Sequence, residues 1–308
     1  MSVVFITHEG AWNYFSNTED YFSHSHAHPL KITPGNQNPF GVPVDCIFPV
    51  LHGTNGEDGT VQGMLKLANI PFVGASVLGS AVGMDKDVMK RLLRDAGVPV
   101  CKFITLNYRE KISFEKAKKE LGMPLFIKPA NMGSSVGINK VKNKSDFNKA
   151  IKEAFKFDVK VIIEEFINGR EIECSVLGND KPIASIPGEV IVKDEFYSYN
   201  TKYINENGAI IQVPADLSKN IVKRIKDLSV KTFRVLNCEG LGRVDGFLTK
   251  SGKYYINEIN TIPGFTSISM YPKLWEASGL TLPKLLDKLI DLAVERFERE
   301  KKLKTSVN

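Results

Sequence analysis

Apolar positions along the chain change period several times, and each change marks an element. Residues 3–7 (VVFIT) and 44–51 (VDCIFPVL) are short continuous apolar runs, the pattern of buried strands. Between them, residues 16–43 are polar, hold Pro and Gly, and predict a long surface loop. A helical period opens at Gly56-Glu57-Asp58-Gly59, with Val61, Met64, Leu65 and Ala68 on one face. Ile70–Gly74 then reads as a second strand and completes a βαβ unit. Helical spacing returns over 85–96, and Gly97 stops it. From there the texture shifts to short strands: LFIKPA (125–130), VGINKV (136–141), VIIEEF (161–166) and EIECSVLG (171–178). Helices are predicted over 145–155, 218–236 and 282–297, each with an apolar stripe that needs no more than a core role.

One hairpin organises the rest. From Arg243 to Ser269 two β-rich runs meet at a Ser251-Gly252 turn. Side chains alternate across a strand, so Arg243 and Asp245 share one face, and Glu258 and Asn260 share one face of the partner. In the register of a two-residue turn the four project together. Two carboxylates and an amide suit Mg²⁺, which takes one or two carboxylates plus phosphate oxygens and water. The bland alternative is a solvated outer face, and the narrow choice of polar residue types weighs against it.

Composition narrows the setting. The 308 residues are 43% apolar and 25% charged, enough for two or three soluble domains. No apolar run reaches the length of a membrane span, and MSVVFITHEGAW lacks the pattern of a signal peptide. The net charge of +6 is spread along the chain, which fits a small anionic ligand and gives no basic block for nucleic acid. Four scattered cysteines without a CxxC suggest free thiols and a cytoplasmic setting. His24, His26 and His28 alternate within the long loop and read as solvated. Asn131-Met132-Gly133-Ser134-Ser135 is a small-residue turn whose backbone N–H groups could approach phosphate, with Lys128 adding charge, although it is no Walker loop. Residues 187–215 lack period but carry Glu189, Lys193, Tyr197, Tyr199, Lys202 and Tyr203, as a functional loop would. His52, at the end of an apolar strand, is placed where open α/β sheets hold ligands.

Six motifs then fall in one order: HGTNGEDGTVQG (52–63), MDKDVMKRLL (84–93), FIKPANMGSSVG (126–137), NTKY (200–203), GRVDGFL (242–248) and NEINTIPGFTSISMYPKL (257–274). Together they resemble the D-alanine–D-alanine ligases, ATP-grasp enzymes of bacterial peptidoglycan synthesis. The resemblance implies an α/β (α+β) chain of three domains: an N-terminal α/β domain over 1–78, a central ATP-lid domain over 79–172 and a C-terminal catalytic domain over 173–308. ATP would lie between the last two, with Mg²⁺ or Mn²⁺ on Asp245, Glu258 and Asn260. By the same resemblance Lys86, Lys128 and Lys202 touch ATP phosphates, and the 131–135 backbone, Ser135 included, covers them. Glu164 and Glu171 resemble the groups at adenine and ribose. Ser134 and Tyr203 resemble a hydrogen-bonded pair that holds the 187–203 loop over the substrates. Arg243 and the N–H of Gly264 resemble the oxyanion site, Ser269 binds the second alanine's carboxylate, and His52 sits at the substrate end.

The implied partners are two D-alanines, without nucleic acid or membrane, and a homodimer stays open. The family's opening strand, Gly-Gly-x-Ser-x-Glu loop and helix have no counterpart before VVFITHEGAW, which predicts a truncated N-terminal domain and weakened ligase activity. Two other readings stand beside the first: an ATP-grasp ligase with another acceptor such as D-lactate, which Tyr203 disfavours, and an ATP-binding remnant without catalysis.

Overall fold

The computed structural model describes residues 1–33, 38, 40–133, 136–192 and 209–304. Its first sheet is antiparallel and runs in chain order, β1 (Val3–Ile6), β2 (Trp12–Phe15) and β3 (His28–Pro29). The expected strand at 3–7 is present but not buried: β1 is an edge strand, and Val4 and Phe5 are exposed. The polar stretch 16–43 is not all loop either. It holds β3 and a short helix α1 (Thr18–Phe22), started by Asn17, whose side chain accepts the Asp20 N–H at 2.9 Å. A cap is a local polar signal that apolar period does not register.

The expected βαβ unit shrinks to a single parallel bridge, Ile47 with Phe72, closed by Ile47 N–H to Pro71 O and Val73 N–H to Ile47 O, both 2.9 Å. The intervening helix α2 (Thr60–Leu67) starts later than Gly56, because Gly59 holds φ +94°, a left-handed turn no helix can contain. Val61, Leu65, Ala68, Ile70 and Phe72 pack there with Phe40. Next comes α3 (Val77–Met84), which the apolar pattern did not suggest. Then follows α4 (Lys86–Asp95), capped by Asp85, which accepts the N–H groups of Asp87 and Val88 at 3.1 Å each.

The second sheet is antiparallel, in the order β4-β7-β5-β6, from β4 (Phe103–Asn107), β5 (Leu125–Pro129), β6 (Asn139–Val141) and β7 (Lys160–Glu165). Helices α5 (Phe114–Leu121) and α6 (Lys144–Ala154) cover one face, burying Leu125, Ile127, Val161 and Ile163. By alternation the other face presents Phe126, Lys128, Ile162 and Glu164.

The third sheet has the order β11-β10-β8-β12-β13, with β9 also on β8. Its strands are β8 (Gly169–Gly178), β9 (Ile183–Ala184), β10 (Gly188–Val192), β11 (Ala209–Gln212), β12 (Gly240–Thr249) and β13 (Tyr254–Asn260). Helix α7 (Lys219–Val235) packs on Ile172, Cys174 and Val176. On the opposite face, α8 (Met270–Ala277) and α9 (Leu282–Lys301) pack on Leu177 and Leu241. β8 is thus covered on both sides toward its end, where Val176 and Leu177 follow each other, while earlier Glu171, Glu173 and Ser175 alternate with Ile172 and Cys174.

The β12–β13 hairpin turns differently from expectation. Thr249 N–H meets Lys253 O at 2.9 Å, so three residues form the loop, and Gly252 takes φ +78° at its end. That register alone would set Asp245 opposite Asn257. A bulge between Asp245 and Gly246 lets β13 slip by one residue, so Asp245 faces Glu258 and Arg243 faces Asn260. The expected pairing is reached by two offsetting irregularities. Gly246 is required at the bulge, since a Cβ there would lie 2.5 Å from Tyr255 O and 2.6 Å from the Tyr254 ring. The Tyr254 hydroxyl donates to Ile172 O at 3.0 Å and keeps the ring from yielding. Gly246→Ala is expected to lower stability by about 3 kcal/mol, the upper end of ordinary overpacking. Denaturant midpoints would measure it, and an unchanged midpoint would contradict the bulge geometry.

Candidate functional site

Antiparallel partners point the same way, so the registers of β8, β12 and β13 place Glu171, Glu173, Arg243, Asp245, Glu258 and Asn260 on one face. It is the face that α8 and α9 cover farther along. Arg243 anchors it: Nε reaches Asp245 Oδ1 and Glu173 Oε2 at 2.8 Å each, and Nη2 reaches Asp245 Oδ2 at 2.8 Å. Burial works against the guanidinium, but Asp245 and Glu173 outweigh it and hold its pKa well above the usual arginine value. Its Nη1 makes no hydrogen bond among the described residues. Asn260 Nδ2 donates to Asp245 Oδ2 at 2.8 Å, which draws the amide and both carboxylate strands into one cluster.

Facing this acidic floor is a wall of lysines from α4 and the second sheet. Lys86 opens α4, is 4% exposed, and donates from Nζ to Met132 O at 2.8 Å. Its Nζ lies 3.6 Å from Glu258 Oε2, joining wall to floor. Burial holds the Lys86 pKa below the usual lysine value; Glu258 offsets this, and Lys128 adds to it. Lys128, on β5, contacts Glu164 Oε2 at 2.7 Å and Asn257 Oδ1, the bulged residue, at 3.4 Å. Lys90, one turn beyond Lys86, contacts Glu164 Oε1 at 3.1 Å. Both oxygens of Glu164 are therefore committed to lysines, so in this structure it holds cations in place.

Two loops close one end. His52 Nδ1 sits 3.1 Å from Ile262 O, and Gly53 N–H donates to Glu57 Oε2 at 2.7 Å. Glu57 precedes α2 rather than serving its first turn. Burial pushes its pKa up, against the Gly53 N–H and His52. Gly133 packs near Gly53, and Thr54 Oγ1 meets Met132 Sδ at 3.6 Å, so the small-residue turn rests on the His52 loop. After β13, Ser269 Oγ accepts the Thr266 N–H at 3.0 Å. A Cβ on Gly264 would come within 2.7 Å of that oxygen, so only glycine leaves the hydroxyl room.

Lys86, Lys128, Glu164, Arg243, Asp245, Glu258 and Asn260 are thus connected by contacts, and His52, Gly264 and Ser269 adjoin through the 262–269 loop. Glu171 shares the floor's face two residues from Glu173. Ser134, Ser135, Lys193, Tyr197, Tyr199, Lys202 and Tyr203 lie outside the described residues. Glu173, Asn257 and Lys90 were not anticipated. A signal for Lys90 existed: a lysine on the same stripe as Met89 and Leu93, four residues after Lys86, is out of place on a buried face. Among the described residues no cluster of three or more His, Cys, Asp and Glu side chains could hold a metal, and no helix is long and apolar enough to cross a membrane. The open clefts of about 590 and 460 Å³ flank α7 and share no residue with this constellation.

Burial disfavours the Glu164 carboxylate, yet Lys128 and Lys90 outweigh it and hold its pKa below the ordinary 4.5. A carboxyl lowered on folding stabilises the fold above its unfolded pKa and loses that contribution as pH falls through the folded one. Glu164→Gln should cost about 3–5 kcal/mol at neutral pH by leaving two buried cations short of a partner. Its stability should also decline less steeply than the parent's below about pH 4.5. Denaturant midpoints across that interval measure both effects, and parallel declines would contradict the assignment.

Comparison with known proteins follows the same line. The family model described as D-ala D-ala ligase C-terminus matches residues 92–291, and that described as D-ala D-ala ligase N-terminus matches residues 1–75. The D-alanine–D-alanine ligase of Oceanobacillus iheyensis is 58% identical over 265 residues, 85% of this chain and 72% of the relative. The solved D-alanine–D-alanine ligase of Coxiella burnetii superposes with a TM-score of 0.88 at 42% identity, covering 98% of this chain and 86% of that one. A VanG D-Ala:D-Ser ligase from Enterococcus faecalis gives 0.83 at 40%, covering 94% and 88%. With both family models matched in order along a mixed α/β fold, the chain belongs to the D-alanine–D-alanine ligase family.

Proposed function

We propose that this chain joins two D-alanines into D-alanyl-D-alanine at the expense of ATP, in the gap between the lysine wall of the second sheet and the acidic floor of the third. The observation that carries the reading is the contact of Lys86 with Glu258, where a buried lysine at the start of α4 meets a half-buried carboxylate of β13. Such a boundary suits a nucleotide triphosphate, whose phosphates need lysines on one side and metal ligands on the other. The corresponding domain division falls near residues 78 and 172.

The donor set fits a hard divalent cation: Asp245, Glu258 and Asn260 offer oxygen atoms from one face, and Arg243 and Asn260 fix the Asp245 carboxylate by hydrogen bonds. When bound, Mg²⁺ or Mn²⁺ there would neutralise phosphate charge. Lys86 and Lys128 would hold the phosphate oxygens, and an added anion would offset the burial that disfavours the Lys86 ammonium. Glu171 would take the nucleoside side. One D-alanine carboxylate attacks the γ-phosphorus, ADP leaves, and an acyl phosphate forms. The amine of the second D-alanine then attacks the acyl carbon, phosphate departs, and the amine gives up a proton. Arg243 Nη1 and the Gly264 N–H would receive the tetrahedral oxygen, and Ser269 the second carboxylate. His52 closes the substrate end. Ser134, Ser135, Lys202 and Tyr203 enter on the family resemblance alone: Ser135 and Lys202 at the ATP phosphates, and Ser134 with Tyr203 as the pair that holds the 187–203 loop over the substrates, keeping water from the acyl phosphate.

A different acceptor is favoured by one finding, the likeness to a D-Ala:D-Ser ligase. Phosphate release from ATP with D-alanine, and with D-alanine plus D-serine or D-lactate, separates the readings: stimulation by D-alanine alone supports the first. No stimulation by any of them would leave ATP binding without ligation.

Two variants probe the parts. Glu258→Gln removes one ligand charge and should weaken Mg-ATP binding by about tenfold, a shift of some 1.4 kcal/mol; unaltered affinity by calorimetry would refute the metal assignment. Tyr203→Phe removes a hydrogen bond of about 0.5–1.5 kcal/mol and should slow dipeptide formation while raising uncoupled ATP hydrolysis. Parental rate and coupling would count against the loop pairing.

A further inference from the structure

Lys90 is among the least exposed charged groups in the molecule, at 0% exposure, and the proposed chemistry gives it no work. It sits on α4 between Met89 and Leu93, both also at 0%, where a lysine is out of place unless it serves something. Its ammonium contacts Glu164 Oε1 at 3.1 Å and Cys101 Sγ at 3.4 Å. The Cys101 thiol is itself buried, and burial pushes its pKa up to about 11, so it is a neutral neighbour. The far oxygen of Glu164 holds Lys128 at 2.7 Å. The three charged groups form a chain, Lys90–Glu164–Lys128, with only the last directed at the Asn257 side of the gap.

Without Lys90, the Glu164 carboxylate would cancel Lys128, and the pair would present no net charge to a ligand. With Lys90, two cations share one anion, and the chain carries one positive charge into a dry setting where charges are weakly screened. Glu164 gains as well, since a buried carboxylate needs partners for both oxygens. We propose that Lys90 is a positioning residue that sets the net charge of the nucleotide site: it pairs with one oxygen of Glu164, so that Lys128, held by the other, still brings a net positive charge to the phosphates of ATP. The inference rests on the reading of Lys128 as a phosphate contact. Lys90 touches no phosphate itself, and its action is carried through Glu164.

A charge effect and a packing effect separate by ligand. If Lys90 acts through charge, its loss should weaken ligands in proportion to their phosphates and leave adenosine nearly untouched. Calorimetry of the full chain with Mg-ATP, Mg-ADP and adenosine reads this directly, without turnover. Lys90→Met, close in shape and uncharged, should weaken ATP by about tenfold or more and ADP by less, with adenosine within about twofold. Lys90→Arg keeps the charge and should retain the parental preference for ATP over adenosine. Lys90→Met combined with Glu164→Gln restores one net positive charge on Lys128 and should recover most of the lost preference, a coupling that a double-mutant cycle isolates. Should Lys90→Met fail to fold, Cys101→Asp lowers the cluster by the same unit of charge with Lys90 still paired, and should produce the same loss.

Equal weakening of ATP and adenosine in these variants would make Lys90 a packing residue and overturn the proposal. So would a double variant no better than Lys90→Met. Lys128→Met distinguishes failure of the underlying reading: unaltered ATP affinity there would remove the phosphate contact and the proposal with it. Reduced affinity there, beside a parental preference in Lys90→Met, would sink the proposal alone.

Discussion

A slip of one residue in strand pairing turns every side chain of that strand to the opposite face. The acidic floor depends on one such slip. With the three-residue loop at 250–252 and no bulge, Asp245 would share its face with Asn257 and Ile259, and Glu258 would point into the α7 core. The bulge beside Gly246 reverses this and leaves Asn257 as the extra residue, where it meets Lys128. Arg243, Asp245, Glu173, Glu258 and Asn260 become one cluster only because of that insertion, and the close packing of Tyr254 and Tyr255 around Gly246 holds it in place.

Charge is arranged in two layers that would each be costly alone. Several carboxylates around Arg243 leave the floor negative, and three buried lysines around Glu164 leave the wall positive. Ionised groups removed from water need partners at short range. Within each layer the pairing is close, at 2.7–3.1 Å, whereas the ion pair of Lys86 with Glu258, which joins the layers, is 3.6 Å. The looser contact falls where a charged ligand would enter, and the tighter ones keep the layers intact meanwhile.

Much of this was legible because strands impose period two. Arg243, Asp245, Glu258 and Asn260 could be placed on common faces from spacing alone, and the six motifs carried the family. What escaped has identifiable causes. The bulge and the three-residue loop cancel in the final register, so a plain two-residue turn reached the right pairing by a different route. Lys90 and Glu164 lie in apolar surroundings, where period marks them as core and says nothing of the ion pairs that make burial tolerable. Helix α3 carries Gly79 and Gly83, which let it approach Asn237, Ile259 and Thr261 closely; contacts between segments distant in sequence leave no local period. The strand expected at 44–51 is largely half-buried and keeps only one bridge, while β1 is paired throughout and exposed, so an apolar run by itself fixes neither burial nor pairing.

The bond from Lys86 to Met132 O has a mechanical side. One ammonium is tied at once to the backbone of the small-residue turn and, through Glu258, to the end of β13. The turn in turn leans on Thr54 and Gly53, and the His52 loop beside them leans on Ile262. These segments form a ring of contacts that links the second and third sheets through the His52 loop, and Asn131, bonded to Asp158, anchors the turn besides. Because one side chain is bonded to the turn and paired with the floor, the two are coupled through it, as links of one closed chain rather than as separate flaps.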